Sequence, residues 1–255
     1  MRVVVAILLC LPLGIRAQQL SGSLDPALGL AGHWIVLLRN SGMVHHAIDS
    51  VQVNKRGEFR FRNKNLLAGY YRIGFGDDQV DVILNPIETE VSIHFDGRPL
   101  CDHVQVKVSM ENERLWEYKY ASRDTQAQSK RISGQRSITD PRDADALIRL
   151  AAEEDAVNMR LQATLDRLVA QDSASYFSKV IITDRKLMAA LPEGPLAVRN
   201  AMDWIDPSLT RSAIYARAIM AILQSATPAV PDVLNTAADS VLHWASPDTM
   251  CWSFA

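Results

Sequence analysis

Ser109-Met110-Glu111-Asn112-Glu113-Arg114-Leu115-Trp116-Glu117-Tyr118-Lys119-Tyr120 is the stretch on which the chain turns. Before it, Val104, Val106 and Val108 alternate with Gln105, Lys107 and Ser109, the two-residue repeat of a half-buried strand. After it, Leu115, Trp116 and Tyr120 recur at helical spacing. Ser109 has the short hydroxyl side chain that caps a helix, and Asn112 stands where a capping box has Glu or Gln. Glu111 and Glu113 fall in the first turn, where the helix dipole favours negative charge. The stretch predicts a change from strand to helix, and so a protein with a β half and an α half.

Working back from the seam, residues 18–109 read as an antiparallel β-sandwich. Strands are expected over 20–24, stopped by Asp25-Pro26, and over the apolar run 34–38, turned by Asn40-Ser41-Gly42. Residues 47–53 alternate only loosely through Ile48, Val51 and Val53, which points to a bulge. Phe59 and Phe61 then share one face, followed by the sets Tyr71, Ile73, Phe75; Val80, Val82, Leu84; and Val91, Ile93, Phe95. Gly, Pro, Asn and Asp punctuate these short strands, as in a sandwich.

Working forward, residues 110–255 read as an array of antiparallel helices, which makes the fold class α+β. Residues 122–139 are polar, include Gly134, and predict a frayed helix end and a loop. Asp140-Pro141 has the form of a cap followed by a first helical proline, leading into a stripe of Leu147, Ile148, Ala151, Leu161, Leu165 and Leu168. Asp172 or Ser173 is expected to cap a second helix through Phe177, Val180 and Ile181, and 191–195 to be a connector. Asp206-Pro207 predicts the start of a helix carrying Ile214, Ala218 and Ile222. Pro231-Asp232 predicts one carrying Leu234, Ala238, Val241 and Leu242, and Ser246-Pro247-Asp248 a last one. That last helix reaches Ala255 with no stop signal and an apolar ending, so the helical domain is expected to be incomplete at its C-terminus.

The chain's address is at its other end. Arg2 precedes an apolar run over 3–13 that is too short to span a bilayer, and Ile15-Arg16-Ala17 offers cleavage after Ala17. Residues 1–17 are therefore expected to be a signal peptide directing export to the periplasm or cell envelope. Cys10 falls inside it, and Leu9 is too bulky for a lipoprotein motif. A net charge of -2 gives no basic field for nucleic acid, and no transmembrane span is expected once the signal is removed.

Candidate chemistry is thin. Cys101 and Cys251 remain in the mature chain; an oxidising compartment permits a disulfide, nothing in their positions requires one, and C-x-x-C is absent. Cys101 and His103 have half of a metal-site spacing with no second pair, and the neighbours His45 and His46 read as a solvated turn. Asp77, Asp78 and Asp81 lack the spaced ligands of a calcium loop, and Glu153-Glu154-Asp155 reads as a helix's solvent face. Trp34, Trp116, Trp204, Trp244 and Trp252 are expected to pack in the core rather than line a groove. No G-x-S-x-G, H-E-x-x-H or P-loop occurs, so no residue is assigned as catalytic, cofactor-binding or metal-binding.

Four stretches in order carry a family resemblance. They are Gly57-Glu58-Phe59-Arg60-Phe61 with Ala68-Gly69-Tyr70-Tyr71-Arg72-Ile73; the strands 80–84 and 90–95; Ser109-Met110-Glu111-Asn112 with Leu115 and Tyr118; and the run from Met202-Asp203-Trp204 to Thr210-Arg211-Ser212. Together they resemble the N-terminal region of exported thioredoxin-like proteins of Bacteroidota, relatives of thiol-disulfide interchange proteins. There a small sandwich of unknown function and a helical segment precede a thioredoxin-like domain. The resemblance implies a periplasmic, non-catalytic accessory or interaction module, with protein partners in the cell envelope or a C-terminal thioredoxin-like domain. It carries over no catalytic residue and no cofactor. Two other readings stand beside it. One is the N-terminal fragment of a thiol-disulfide oxidoreductase whose C-x-x-C lies beyond Ala255. The other is a free-standing carbohydrate- or peptide-binding sandwich.

Overall fold

A computed structural model describes residues 18–42, 44–63, 66–226 and 230–255; the signal read at 1–17 lies outside them. The strands are β1 (Gln18–Leu24), β2 (Trp34–Ser41), β3 (Val44–Gln52), β4 (Glu58–Asn63), β5 (Gly69–Phe75), β6 (Asp78–Leu84), β7 (Glu90–Phe95) and β8 (Val104–Val108). They pair as two four-stranded sheets, β4-β1-β7-β8 and β3-β2-β5-β6. Alternation puts Leu20, Phe59, Phe61, Ile93 and Phe95 of the first sheet inside, with Ile35, Leu37, Tyr71, Ile73 and Val82 of the second, all buried. β1 and β7 run parallel, whereas the other ladders are antiparallel. Alternation reads the same in either direction, so residue spacing leaves the orientation of that one pair open. The expected bulge is at Ile48: Leu37 faces Asp49 and Leu38 faces Ala47, leaving Ile48 without a partner.

The helices are α1 (Met110–Ile138), α2 (Ala144–Gln171), α3 (Tyr176–Ala190), α4 (Pro195–Ala201), α5 (Ala213–Ser225), α6 (Pro231–Ala245) and α7 (Thr249–Phe254). α1 begins at the seam, where the Ser109 hydroxyl accepts from the Asn112 N–H at 3.0 Å. It then continues through 122–138, where the sequence predicts fraying and a loop. The reason is tertiary. α2 lies antiparallel to α1 and is tied to it by the ion pairs Arg131–Glu153, Arg136–Glu154 and Arg167–Glu117. Ile132 and Val157, at matching positions of this pair, are buried. Of the stripe expected on α2, only Leu165 and Leu168 are buried; Leu147 and Leu161 are half-buried, and Ile148 and Ala151 are exposed. The pair is an arm with water on most sides, which is why its composition resembles a loop's.

Several helix starts fall a few residues later than their Asp-Pro or Ser-Pro signals. Asp140 accepts from the Arg142 N–H at 2.9 Å in a turn, and Asp143 caps α2. Ser175, not Asp172 or Ser173, caps α3. Asp206 accepts from the Ser208 N–H at 2.9 Å, a 3-10 turn follows at Leu209–Arg211, and Ser212 caps α5. Asp248, not Ser246, caps α7. In each case the side-chain oxygen closes a local turn, a use open to Asp and Ser as much as capping is. The connector at 191–195 ends in a helix of its own, since Pro195 opens α4.

The helices cover the outer face of the sheet β3-β2-β5-β6 on its β5–β6 side, leaving Ala47 and Ser50 of β3 exposed. Tyr70 packs edge-on to Tyr176, with ring centres 5.7 Å apart, and Ile83 is fully buried. α1 also runs beside β6 and β8, so the layers are sheet, sheet and helices. No helix among the described residues is long and apolar enough to cross a membrane.

Candidate functional site

Two groups of polar side chains lie between the sandwich and the helices. The first is the seam itself. Glu88 accepts from the Ser109 hydroxyl at 2.6 Å and from the Glu111 N–H at 3.0 Å, at the start of α1. Glu111, almost fully buried, reaches out of α1 and accepts from the Tyr176 and Phe177 N–H groups at 2.7 and 2.9 Å. It therefore caps α3, where unpaired N–H groups and the helix dipole suit a carboxylate. The Asn85 amide donates to the same carboxylate at 2.7 Å. Asn112 completes the group: its amide donates to the Ile83 carbonyl at 2.7 Å and accepts from the Ile83 N–H at 2.8 Å. One side chain thus pairs with the free edge of β6. Ser109, held by these bonds, has φ 152°, a conformation uncommon outside glycine.

The second group lines a cleft of about 230 Å³ bounded by Tyr70, Arg72, Asp81, Asp184 and Arg217. Arg72 donates to Asp81 at 2.6 Å, to Gln79 at 2.9 Å and to His45 Nε2 at 2.8 Å. His45 Nε2 accepts that bond, so its Nδ1 carries the proton and donates to Asn40 at 2.9 Å. Burial and the Arg72 charge hold the His45 pKa below its ordinary value, which leaves the ring neutral. Lys119 closes on the other oxygen of Asp81 at 2.5 Å. Burial alone would raise the Asp81 pKa, but Lys119 and Arg72 outweigh it and hold the carboxyl below its ordinary range. Across the cleft Asp184 pairs with Arg217. The Asp81 carboxylate is held between two cations and the His45 ring is bonded at both nitrogens, so each group is engaged by its own neighbours. The arrangement ties β3, β5 and β6 to α1.

The residues weighed for chemistry are dispersed. Cys101 lies in a 3-10 turn (Leu100–Asp102) and His103 just after it, the imidazole Nδ1 3.1 Å from Asp96. His45 and His46 are on β3 rather than in a turn, and His45 is bonded to Arg72 of the cleft. Of the three aspartates, Asp78 pairs with Arg98 at 2.8 Å and Asp81 belongs to the cleft. Glu153 and Glu154 bind α1 rather than standing free. Both cysteines are free. Burial, with Asp248 beside it, pushes the Cys251 thiol up to about 12, so it stays protonated. Trp116 and Trp204 are core residues, whereas Trp34 and Trp252 are exposed.

Glu111, Asn112 and Lys119 stand in the quoted stretch, yet their long-range partners Ile83, Tyr176 and Asp81 have no local signature. A third feature also has none. An apolar groove of about 530 Å³ lies among α4, α5 and α6, lined by Leu196, Ile222, Val233, Ala237 and Trp244, with Arg199 over the Trp244 ring at 5.2 Å. No protein-family model, curated protein or solved structure matches the chain.

Proposed function

We propose that the chain is an exported, non-catalytic interaction module, of the kind that precedes a thioredoxin-like domain, with a protein partner in the cell envelope. One observation carries the reading. The carboxylates Asp81 and Asp206, the base His45 and the thiol Cys251, all perturbed by their surroundings, are closed onto their own neighbours, whereas the groove among α4, α5 and α6 is apolar and open. An open apolar groove on a fixed framework is the form of a recognition surface. A photo-crosslinking residue at Leu196, expressed behind the natural leader, is expected to give one defined adduct with an envelope protein. The same residue at Arg60, on the opposite sheet, is expected to give none. Adducts of equal pattern from both positions, or adducts with cytosolic proteins only, would refute the reading.

A second reading, a carbohydrate- or peptide-binding sandwich, has one observation in its favour. The outer face of β4-β1-β7 points away from the helices and carries Ser21, Ser23 and Ser92 beside Arg60, at a concavity of about 670 Å³. Heat on titrating oligosaccharides or peptides into the chain, abolished by Ser21→Trp, would move the function to that face.

A further inference from the structure

We infer that the corner where β2, β5, the turn Leu209–Arg211 and α7 meet is a binding site for a small molecule bearing an oxyanion, a phosphate or a carboxylate, held between Arg39 and Arg211. Arg211 is only 8% exposed, yet among the described residues no carboxylate lies within ion-pair distance of it. Among the described residues its one side-chain polar contact is from Nη2 to the Met250 sulfur at 3.9 Å, and a thioether is a weak acceptor. Arg39 is half-buried, but its Nε is enclosed with no hydrogen-bond partner, and it forms no ion pair among the described residues. Buried Arg114, whose Nε also lacks a hydrogen-bond partner, differs in having a carboxylate, Asp172, at 3.5 Å.

The fold brings the two arginines to one corner. Arg39 stands opposite Tyr71 in the β2–β5 ladder. Two residues before Tyr71, Gly69 leaves room for the Arg211 stem: a Cβ there would lie 2.4 Å from the Arg211 Cβ. The Gly42 N–H donates to the Thr210 carbonyl at 3.2 Å, which fixes the β2–β3 hairpin to the turn that carries Arg211. Burial lowers the Arg211 pKa from its ordinary value and the nearby Arg39 charge lowers it further, while Tyr71 and Tyr176 act the other way.

Two like charges brought to one corner, one buried and one half-buried, are costly unless an anion joins them. That anion is not another acidic side chain of this chain, because residues 1–17, 43, 64–65 and 227–229 contain no Asp or Glu. The planar fork of a guanidinium suits a group with at least two oxygens, which chloride lacks.

Thermal unfolding and calorimetry on the full chain decide it, with inorganic phosphate, acetate and succinate as probes against sodium chloride at matched ionic strength. A saturable rise in Tm is expected with phosphate or with the carboxylates, and the tighter arm names the class. Arg39→Met and Arg211→Met should each weaken that binding at least tenfold, while Arg123→Met, at an exposed ion pair with Asp102, leaves it unchanged. Should Arg211→Met fail to fold, Arg39→Met and the wild-type titration still decide. A response equal to that of chloride, or an unchanged rise in Arg39→Met, would overturn the site.

Discussion

Glu111 and Asp81 do opposite things with the same functional group. Glu111 is held by N–H donors alone, so its value lies in satisfying the α3 N-terminus and Asn85. Glu111→Ala leaves those buried donors unpaired and should cost on the order of 3 kcal/mol in urea unfolding. Glu111→Gln keeps one acceptor oxygen and should cost less; equal stability of all three proteins would contradict the capping role. Asp81 is held by two cations, so its value depends on charge. Its folded pKa lies below the ordinary value, so the unfolded chain binds the proton more tightly. The contribution is complete above a pH of about 4 and is lost as pH falls through the lower, folded pKa. Asp206, held low by Ser208 and Lys179 against its own burial, adds to the same limb. Stability measured between pH 7 and 2 should therefore fall below about pH 4, and Asp81→Asn should flatten that fall. An unchanged acid limb in Asp81→Asn would show that the carboxylate is not held by charge.

At the scale of elements, the α1–α2 arm separates what local pattern carries from what it does not. Without a loop at 122–138, the exposed backbone between these helices is the turn at 139–143. Limited proteolysis should cut there first, and a first cut inside 122–138 would mean that α1 is frayed. Ile132→Ala, at a fully buried position, should cost about 2–4 kcal/mol and open that region to protease. The strands were legible because Phe59 and Phe61, or Tyr71, Ile73 and Phe75, point one side chain in two into a core, and that period survives any pairing. Even the bulge at Ile48 was legible, as a break in that period. α1 beyond Tyr120 was not, because a two-helix arm buries few residues such as Ile132 and holds its partner with ion pairs four or more turns away in sequence. Helix starts slipped for a different reason: Asp140, Asp206 and Ser246 spend their oxygens on turns, and only three-dimensional context decides between a turn and a cap. The cleft and the arginine corner were the least legible. Arg72 meets His45 across 27 residues, and Arg39 and Arg211 belong to opposite halves of the chain.

For the whole molecule, the question is whether the β half stands without the α half. Reading strands alone suggests that residues 18–109 form a self-contained sandwich. The inner faces of the two sheets are consistent with that, but the outer face of β3-β2-β5-β6 is not. Ile83 there is fully buried, Tyr70 packs on Tyr176, and Burial of the Tyr70 hydroxyl beneath the helices raises its pKa far above the ordinary value. Removing the helices would expose these groups, strip Asn112 from the edge of β6, and take Lys119 from Asp81 and Glu111 from Asn85. An uncovered apolar face with a free strand edge is a route to association rather than to a stable monomer. The 18–109 segment expressed alone is therefore expected to aggregate or to lack cooperative unfolding. The full chain should unfold in one transition, with near-ultraviolet dichroism of the helical-layer tryptophans coinciding with the far-ultraviolet signal. Two separated transitions, or a soluble 18–109 fragment with a sharp melt, would mean that the seam at Ser109–Asn112 joins two independent domains instead of building one.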